Sequence, residues 1–239
     1  MDRDAAPSAA PSSVGSAATV VLLRDGAGGV EVLLGERPSD RGSFAGAWVF
    51  PGGAVDDEDA AGGPIDSAVA ARRAAVRETV EEVGLAVDAG DLVEFALWSP
   101  PEGVPKRMRT WFFAVRAPEA EPVAAVDELV AVEWLRPADA LERHAGGRMT
   151  LFPPTWVTLH GLRDAASVDE ALAALRAGEV RAYVGRFSDD RATLYWQEDE
   201  LFEAGPGVVP GAPGDPAGDA GPRHRLLMGR LPWVYLRSF

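Results

Sequence analysis

Two short strings constrain this chain more than anything else in it: Phe50-Pro51-Gly52-Gly53 and Arg77-Glu78-Thr79-Val80-Glu81-Glu82-Val83-Gly84. The second sets carboxylates at i, i+3 and i+4, positions that share one face of a helix. Like charges held that close repel, so a helix presenting them is expected to meet a counter-ion. A hard divalent cation such as Mg²⁺ takes carboxylate oxygens and keeps waters for a phosphate substrate. A Gly-Gly turn lets a backbone carbonyl approach the same ion, where a bulkier residue would hinder it. Together the strings read as a metal site that hydrolyses a phosphoanhydride.

The surrounding sequence says how the strings are carried. Asp66 or Ser67 can N-cap a helix running to Val83, with Gly84 as the residue that ends it. At about 100° per residue, Val69, Val76, Val80 and Val83 cluster on one side. The expectation is a buried valine stripe, with Glu78 opposite it and flanked by Glu81 and Glu82. Ala17 to Leu23 and Val30 to Leu34 flank a Gly-rich turn and read as a hairpin. Ala47 to Phe50 is a short strand, and the acidic stretch from Ala54 to Ile65 is a loop. Further strands are expected at Leu92 to Trp98, Thr110 to Arg116 and Val130 to Leu135. Helices are expected from Pro137 to about His144, from Pro154 to Leu162 and from Ser167 to Arg176. Beyond these, Val180 to Phe187 and Ala192 to Trp196 are expected to pair, and Leu226 to Leu236 reads as one final strand interrupted by Pro232. Residues 1–14 are expected to be a disordered tail and 205–222 a mobile Pro/Gly-rich loop, leaving 15–176 as the main domain and 177–239 as a C-terminal extension.

Composition removes several alternatives. The formal net charge of −14 lacks the basic footprint of a nucleic-acid surface. The chain has no cysteine, which excludes disulfides, thiolate catalysis and cysteine–zinc sites. His144, His160 and His224 are too scattered for a metal-ligand spacing and are expected to be core or surface residues. No run of about 18 apolar residues is present, so no membrane span is expected. No secretory pattern opens the chain, and a cytoplasmic location is the default expectation.

At this point the residues resemble the Nudix hydrolase family. Its signature is Gly, five residues, Glu, seven residues, then Arg-Glu-apolar-x-Glu-Glu-x-Gly-apolar. Gly53 opens that pattern here and the segment from Arg77 to Leu85 closes it. The early Glu is replaced by Asp59, 17 residues separate Asp59 from Arg77, and Thr79 takes a usually apolar position. Those departures, with Trp48 to Gly53, Trp98-Ser99-Pro100, Pro105-Lys106-Arg107, Thr110 to Phe113, Asp127-Glu128 and Leu151 to Thr155, are similar to the coenzyme A diphosphatases of the nudix-nineteen type.

The resemblance implies an α/β fold, the Nudix α/β/α sandwich around a mixed β-sheet. It implies a Mg²⁺ or Mn²⁺ cofactor held by Glu78, Glu81, Glu82 and the Gly52 carbonyl. Arg77 can orient a neighbouring carboxylate or support the loop through its guanidinium fork. Under the resemblance Glu128 is an extra ligand or the base, and the base is split between Glu78 and Glu128. Arg37, Lys106, Arg107 and Arg109 are candidates to meet the substrate's phosphates. The implied reaction cleaves coenzyme A or acyl-coenzyme A into 3′,5′-ADP and (acyl-)4′-phosphopantetheine. Another nucleoside diphosphate derivative, such as ADP-ribose or a dinucleotide, is the alternative substrate, and a non-catalytic nucleotide-binding module the alternative class. The expected partner is a small molecule, with no nucleic acid and no membrane; a homodimer is a permitted assembly.

Overall fold

The computed structural model describes residues 14–42, 44–104, 107–203 and 221–239. The expectations for residues 1–13, for 205–220 and for Lys106 lie outside the described residues.

The chain opens with the hairpin β1 (Gly15–Gly26) and β2 (Gly29–Glu36), closed by the Gly26–Gly29 pair. The short strands β3 (Trp48–Val49) and β4 (Gly52–Ala54) follow, then a four-residue helix α1 (Asp57–Ala60) and the long helix α2 (Ala68–Val83). Next come β5 (Val93–Ser99), β6 (Met108–Arg116), β7 (Ala131–Leu135), α3 (Pro137–Ala145), α4 (Pro153–Leu162) and α5 (Val168–Ala177). The chain finishes with β8 (Arg181–Phe187), β9 (Thr193–Trp196), β10 (His224–Leu227) and β11 (Val234–Arg237).

Among the described residues eleven strands join one mixed sheet in the order β11-β10-β9-β8-β5-β6-β1-β2-β3, with β4 added to β1 and β7 to β2. β1 runs parallel to β6 along most of its length. On its other edge, β1 pairs with β4 through Ala17–Thr19 and with β2 through Leu23–Gly26. Alternate residues of β1 feed two cores, as the pleat requires. Ala18, Val20 and Leu22 face α2, while Val21 and Leu23 face α3, α4 and α5. Helices on both faces of a mixed sheet make the α/β/α sandwich expected from the sequence. Among the described residues, no helix is long and apolar enough to cross a membrane.

Three local expectations are corrected. The buried face of α2 is not the valine stripe. Val69 and Val80 are exposed, at 62% and 46%, whereas Ala70, Ala71, Ala74, Ala75, Glu78, Thr79, Glu82 and Val83 are buried. Alanines every fourth residue let the helix backbone approach the sheet closely, and that close approach turns Glu78 and Glu82 inward. The acidic stretch after β4 is not all loop: Asp56 to Asp59 closes a helical turn, with the Asp56 amide donating to Asp59 Oδ2 at 2.9 Å. The last strand is two: the Met228–Trp233 segment reverses the chain, so β10 and β11 pair antiparallel.

Candidate active site

The site begins with two ends of α2. Ser67 caps its start, accepting a hydrogen bond from the Ala70 amide at 3.2 Å, and Gly84 closes it in the left-handed conformation. The last carbonyls of a helix need partners. Here the Ala125 amide donates to the Glu82 carbonyl and the Val123 amide to the Val83 carbonyl, both at 2.9 Å. Those two bonds dock the 123–129 loop on the end of α2 and bring Glu128 beside Glu82. The Val130 amide then donates to the Glu36 carbonyl, which fixes the far end of the loop.

β4 supplies the opposing surface. Gly52 has φ +151°, and a Cβ there would lie 2.2 Å from the Ala18 carbonyl oxygen. A Cβ on Gly53 would lie 2.3 Å from Glu78 Oε1. The Gly-Gly turn is thus required twice, once by the neighbouring strand and once by the carboxylate lying over it. Thr79, between the glutamates, is fully buried and donates its hydroxyl to the Ala75 carbonyl at 2.7 Å, which explains a polar residue at this depth.

Glu82 is 1% exposed. Its Oε2 accepts from the Gly52 amide at 2.9 Å, and its Oε1 has no hydrogen-bond partner. Arg37 Nη1 stands 3.6 Å from that free oxygen. Burial pushes the Glu82 carboxyl up to about 8; the Gly52 amide opposes this and the neighbouring Glu128 carboxyl adds to it. Burial likewise raises Glu78, with Arg77 opposing and the charges of Glu81 and Glu128 adding to the rise. Glu78 and Glu82 thus both hold their protons more tightly than free carboxyls, chiefly through burial, with the nearby Glu128 charge adding to each.

Arg77 organises the outer side. It donates to Glu78 Oε1 at 2.9 Å, Glu81 Oε2 at 2.8 Å, the Ala54 carbonyl at 2.9 Å and Asp59 Oδ2 at 2.8 Å. Asp59 is buried. Burial alone would raise its carboxyl, but the Arg77 fork and the Asp56 amide more than offset this and hold it below the usual range. The 17 residues between Asp59 and Arg77 are absorbed by a turn and the first turns of α2, so the two side chains meet despite the long insertion. In the sequence Asp59 stands where the signature has its early Glu; its position as the N3 residue of an Asp-x-x-Asp box is the signal for its partnership with Asp56.

The structure thus brings together Gly52, Glu78, Glu82, Glu128 and Arg37, with Arg77 behind them. Glu81 is half exposed and turned toward Arg77. Arg107 and Arg109 lie two strands away, at the start of β6, and touch none of these carboxylates. His144 and His224 are buried and His160 stacks on Trp156, apart from the site. Among the described residues, no three carboxylate or histidine side chains converge on a single point in this arrangement. Glu78 and Glu81 are drawn to Arg77 instead. The donor set nevertheless suits a hard cation: oxygen only, and with one buried carboxylate oxygen left without a donor.

The NUDIX domain family model matches residues 14–153, well over half of the chain. Among solved structures, a NUDIX hydrolase from Alicyclobacillus acidocaldarius is 26% identical with a TM-score of 0.64, covering 71% of this chain and 100% of that one. A MutT NUDIX hydrolase from Burkholderia pseudomallei is 23% identical with a TM-score of 0.47, covering 62% and 97%. The NUDIX domain of Shewanella oneidensis NrtR, complexed with ADP ribose, is 16% identical with a TM-score of 0.49, covering 64% and 88%. The last two matches are too distant to carry an argument. No curated protein matches the chain. The protein belongs to the NUDIX domain family and is a hydrolase acting on phosphoanhydride bonds.

Proposed function

We propose that this hydrolase cleaves the diphosphate of coenzyme A or acyl-coenzyme A, releasing 3′,5′-ADP and (acyl-)4′-phosphopantetheine. The hydrolytic half of the reading rests on one observation: the buried Glu82 carboxylate, held by the Gly52 amide between Glu78 and Glu128, with one oxygen lacking a donor. The coenzyme A half is supported by the sequence resemblance alone.

In this reading Glu78, Glu82, Glu81 and the Gly52 carbonyl hold Mg²⁺ or Mn²⁺. The ion, when bound, neutralises charge on the diphosphate and on the attacking oxygen. The chain supplies the rest. Arg77 holds Glu78 and Glu81 in place through hydrogen bonds at 2.9 and 2.8 Å. Arg37, whose Nη1 stands 3.6 Å from the free oxygen of Glu82, is placed to pair with the diphosphate. Glu128 or Glu78 takes the proton from the attacking water. The raised proton affinity of Glu78 suits that role, because a base works best with a pKa near the working pH.

The test is a panel of coenzyme A, acetyl-coenzyme A, ADP-ribose and a dinucleoside polyphosphate, with Mg²⁺ or Mn²⁺ and products identified by mass. Formation of 3′,5′-ADP from coenzyme A is the expected result. Turnover of ADP-ribose or the dinucleotide, with none of coenzyme A, would replace the substrate and keep the chemistry. No turnover of any of the four would sink both.

A further inference from the structure

Nine buried side-chain polar atoms among the described residues lack a hydrogen-bond partner, and four of them share one patch: Ser16 Oγ, Arg107 Nε, Arg109 Nε and Trp111 Nε1. Folded proteins leave few such atoms, and a cluster of them calls for an explanation. The register places the patch. Gly53 pairs with Ala18 and Ala18 with Trp111, so these three form one row across β4, β1 and β6. Ser16 pairs with Arg109 in the row two residues along. Ala18 and Trp111 belong to the α2 side of the sheet, and by alternation so do Ser16, Arg109 and Arg107.

Glu78 lies over Gly53 at one end of the first row. Two strand spacings, about 10 Å, separate it from Trp111 at the other end. α2 crosses the sheet away from this corner: its Arg72 sits over Phe113 and donates to the Leu92 carbonyl, at the opposite end of β6 and β5. Arg107 and Arg109 are half-buried and make no ion pair among the described residues, in a chain with 37 acidic residues against 23 basic ones; Arg107 spends Nη2 on the Pro100 carbonyl at 3.3 Å, which leaves its Nε without a partner. Arg109 also stacks over Trp111, with 5.8 Å between its guanidinium carbon and the ring centre, which fixes the side chain at little entropic cost. Two guanidinium Nε–H groups, an indole N–H and a hydroxyl, all buried and unpartnered in one patch, describe an anion site.

We infer that Ser16, Arg107, Arg109 and Trp111 form a subsite for a phosphomonoester carried by the substrate, separate from the diphosphate that is cut. The inference rests on the coenzyme A reading for the identity of that phosphate, and it names the residues that would distinguish a 3′-phosphorylated substrate from one without. The guanidinium groups pair with the two charges of the phosphate, and the hydroxyl and indole N–H fill its remaining acceptors.

Calorimetric titration of the full chain with 3′,5′-ADP and with 5′-AMP, in the absence of divalent metal, tests this without requiring turnover. The wild-type protein is expected to bind 3′,5′-ADP roughly tenfold or more tightly than 5′-AMP. Arg109→Gln and Arg107→Gln should each remove most of that preference and leave 5′-AMP binding unchanged, while Arg109→Lys keeps part of it. Equal affinity of the wild type for both nucleotides, binding of neither, or equal losses on both in the variants overturns the subsite. Coenzyme A hydrolysis with Mg²⁺ is measured in parallel. Preference for 3′,5′-ADP without hydrolysis defeats the substrate reading alone, and hydrolysis without preference defeats the subsite alone.

Discussion

Buried charge is handled in opposite ways at the two ends of this sheet. In the β8–β11 wing, Asp199 and Arg225 are both buried and every demand is met. Arg225 forks onto Asp199 at 2.7 and 2.8 Å and reaches Glu200 at 3.1 Å. Asp199 also accepts from the His224 and Leu201 amides at 2.8 and 2.9 Å. His224 is bonded on both ring nitrogens, to Glu198 and to Tyr235. Beside β4, by contrast, Glu82 is equally buried but keeps an oxygen with no donor and a strongly raised proton affinity. A saturated network fixes a shape; an unsaturated one is held ready for something that arrives later.

The comparison breaks most visibly if Glu82→Gln retains metal-stimulated hydrolysis. The expected loss is on the order of 10³-fold in kcat, with the fold intact by circular dichroism. Gly53→Ala sharpens the same point by geometry. Its Cβ would displace the Glu78 carboxylate, and a drop of about 10²-fold in kcat/KM is expected with little change in thermal midpoint. The wing should respond in the reverse sense. Arg225→Met strands a buried Asp199, at a cost of about 3–5 kcal/mol and on the order of 10 °C in thermal midpoint. The surviving folded fraction should hydrolyse substrate at the wild-type rate, and a lower kcat would tie the wing to the chemistry.

The smallest effect is on pH. Glu82 binds its proton more tightly folded, at about 8, than unfolded, near the ordinary carboxyl value of 4.5. Its contribution to stability is therefore complete below about pH 4.5 and is lost as pH rises through about 8. Metal-free protein should lose several degrees of thermal midpoint across that interval, and Glu82→Gln should flatten the decline. A wild-type midpoint that rises with pH would contradict the unsaturated character assigned to Glu82.

Local signals that depend on neighbours in sequence were legible. Ser67 and Gly84 bound α2 as their capping chemistry predicts, and the β1–β2 hairpin follows from its Gly-rich turn. What failed depended on contacts between distant segments. The valine stripe was a sound count of apolar side chains, but the sheet selected the alanine face, because small residues permit a closer approach than β-branched ones. That choice carried Glu78 and Glu82 inward, which periodicity alone placed outward. Glu128 was a candidate by resemblance; its position against Glu82 depends on two backbone amides meeting the end of α2, a contact no composition or period encodes. Arg37 was read only as a phosphate contact, and its proximity to Glu82 required the fold. The β10–β11 reversal is hidden in the sequence because one proline sits in an otherwise strand-like run, whereas the turn takes up several residues around it.

The contact between Asp59 and Arg77 has a consequence for how such a protein can change over time. The insertion between them is closed by a buried, multiply bonded pair, so its length is nearly independent of the site it borders. Extending a closed segment from seven to 17 residues costs roughly 0.8 kcal/mol of chain entropy, a sum that one good hydrogen bond offsets. Residues can accumulate there without shifting a carboxylate, and the place where the sequence departs most from its family's spacing is a place where departure is cheap.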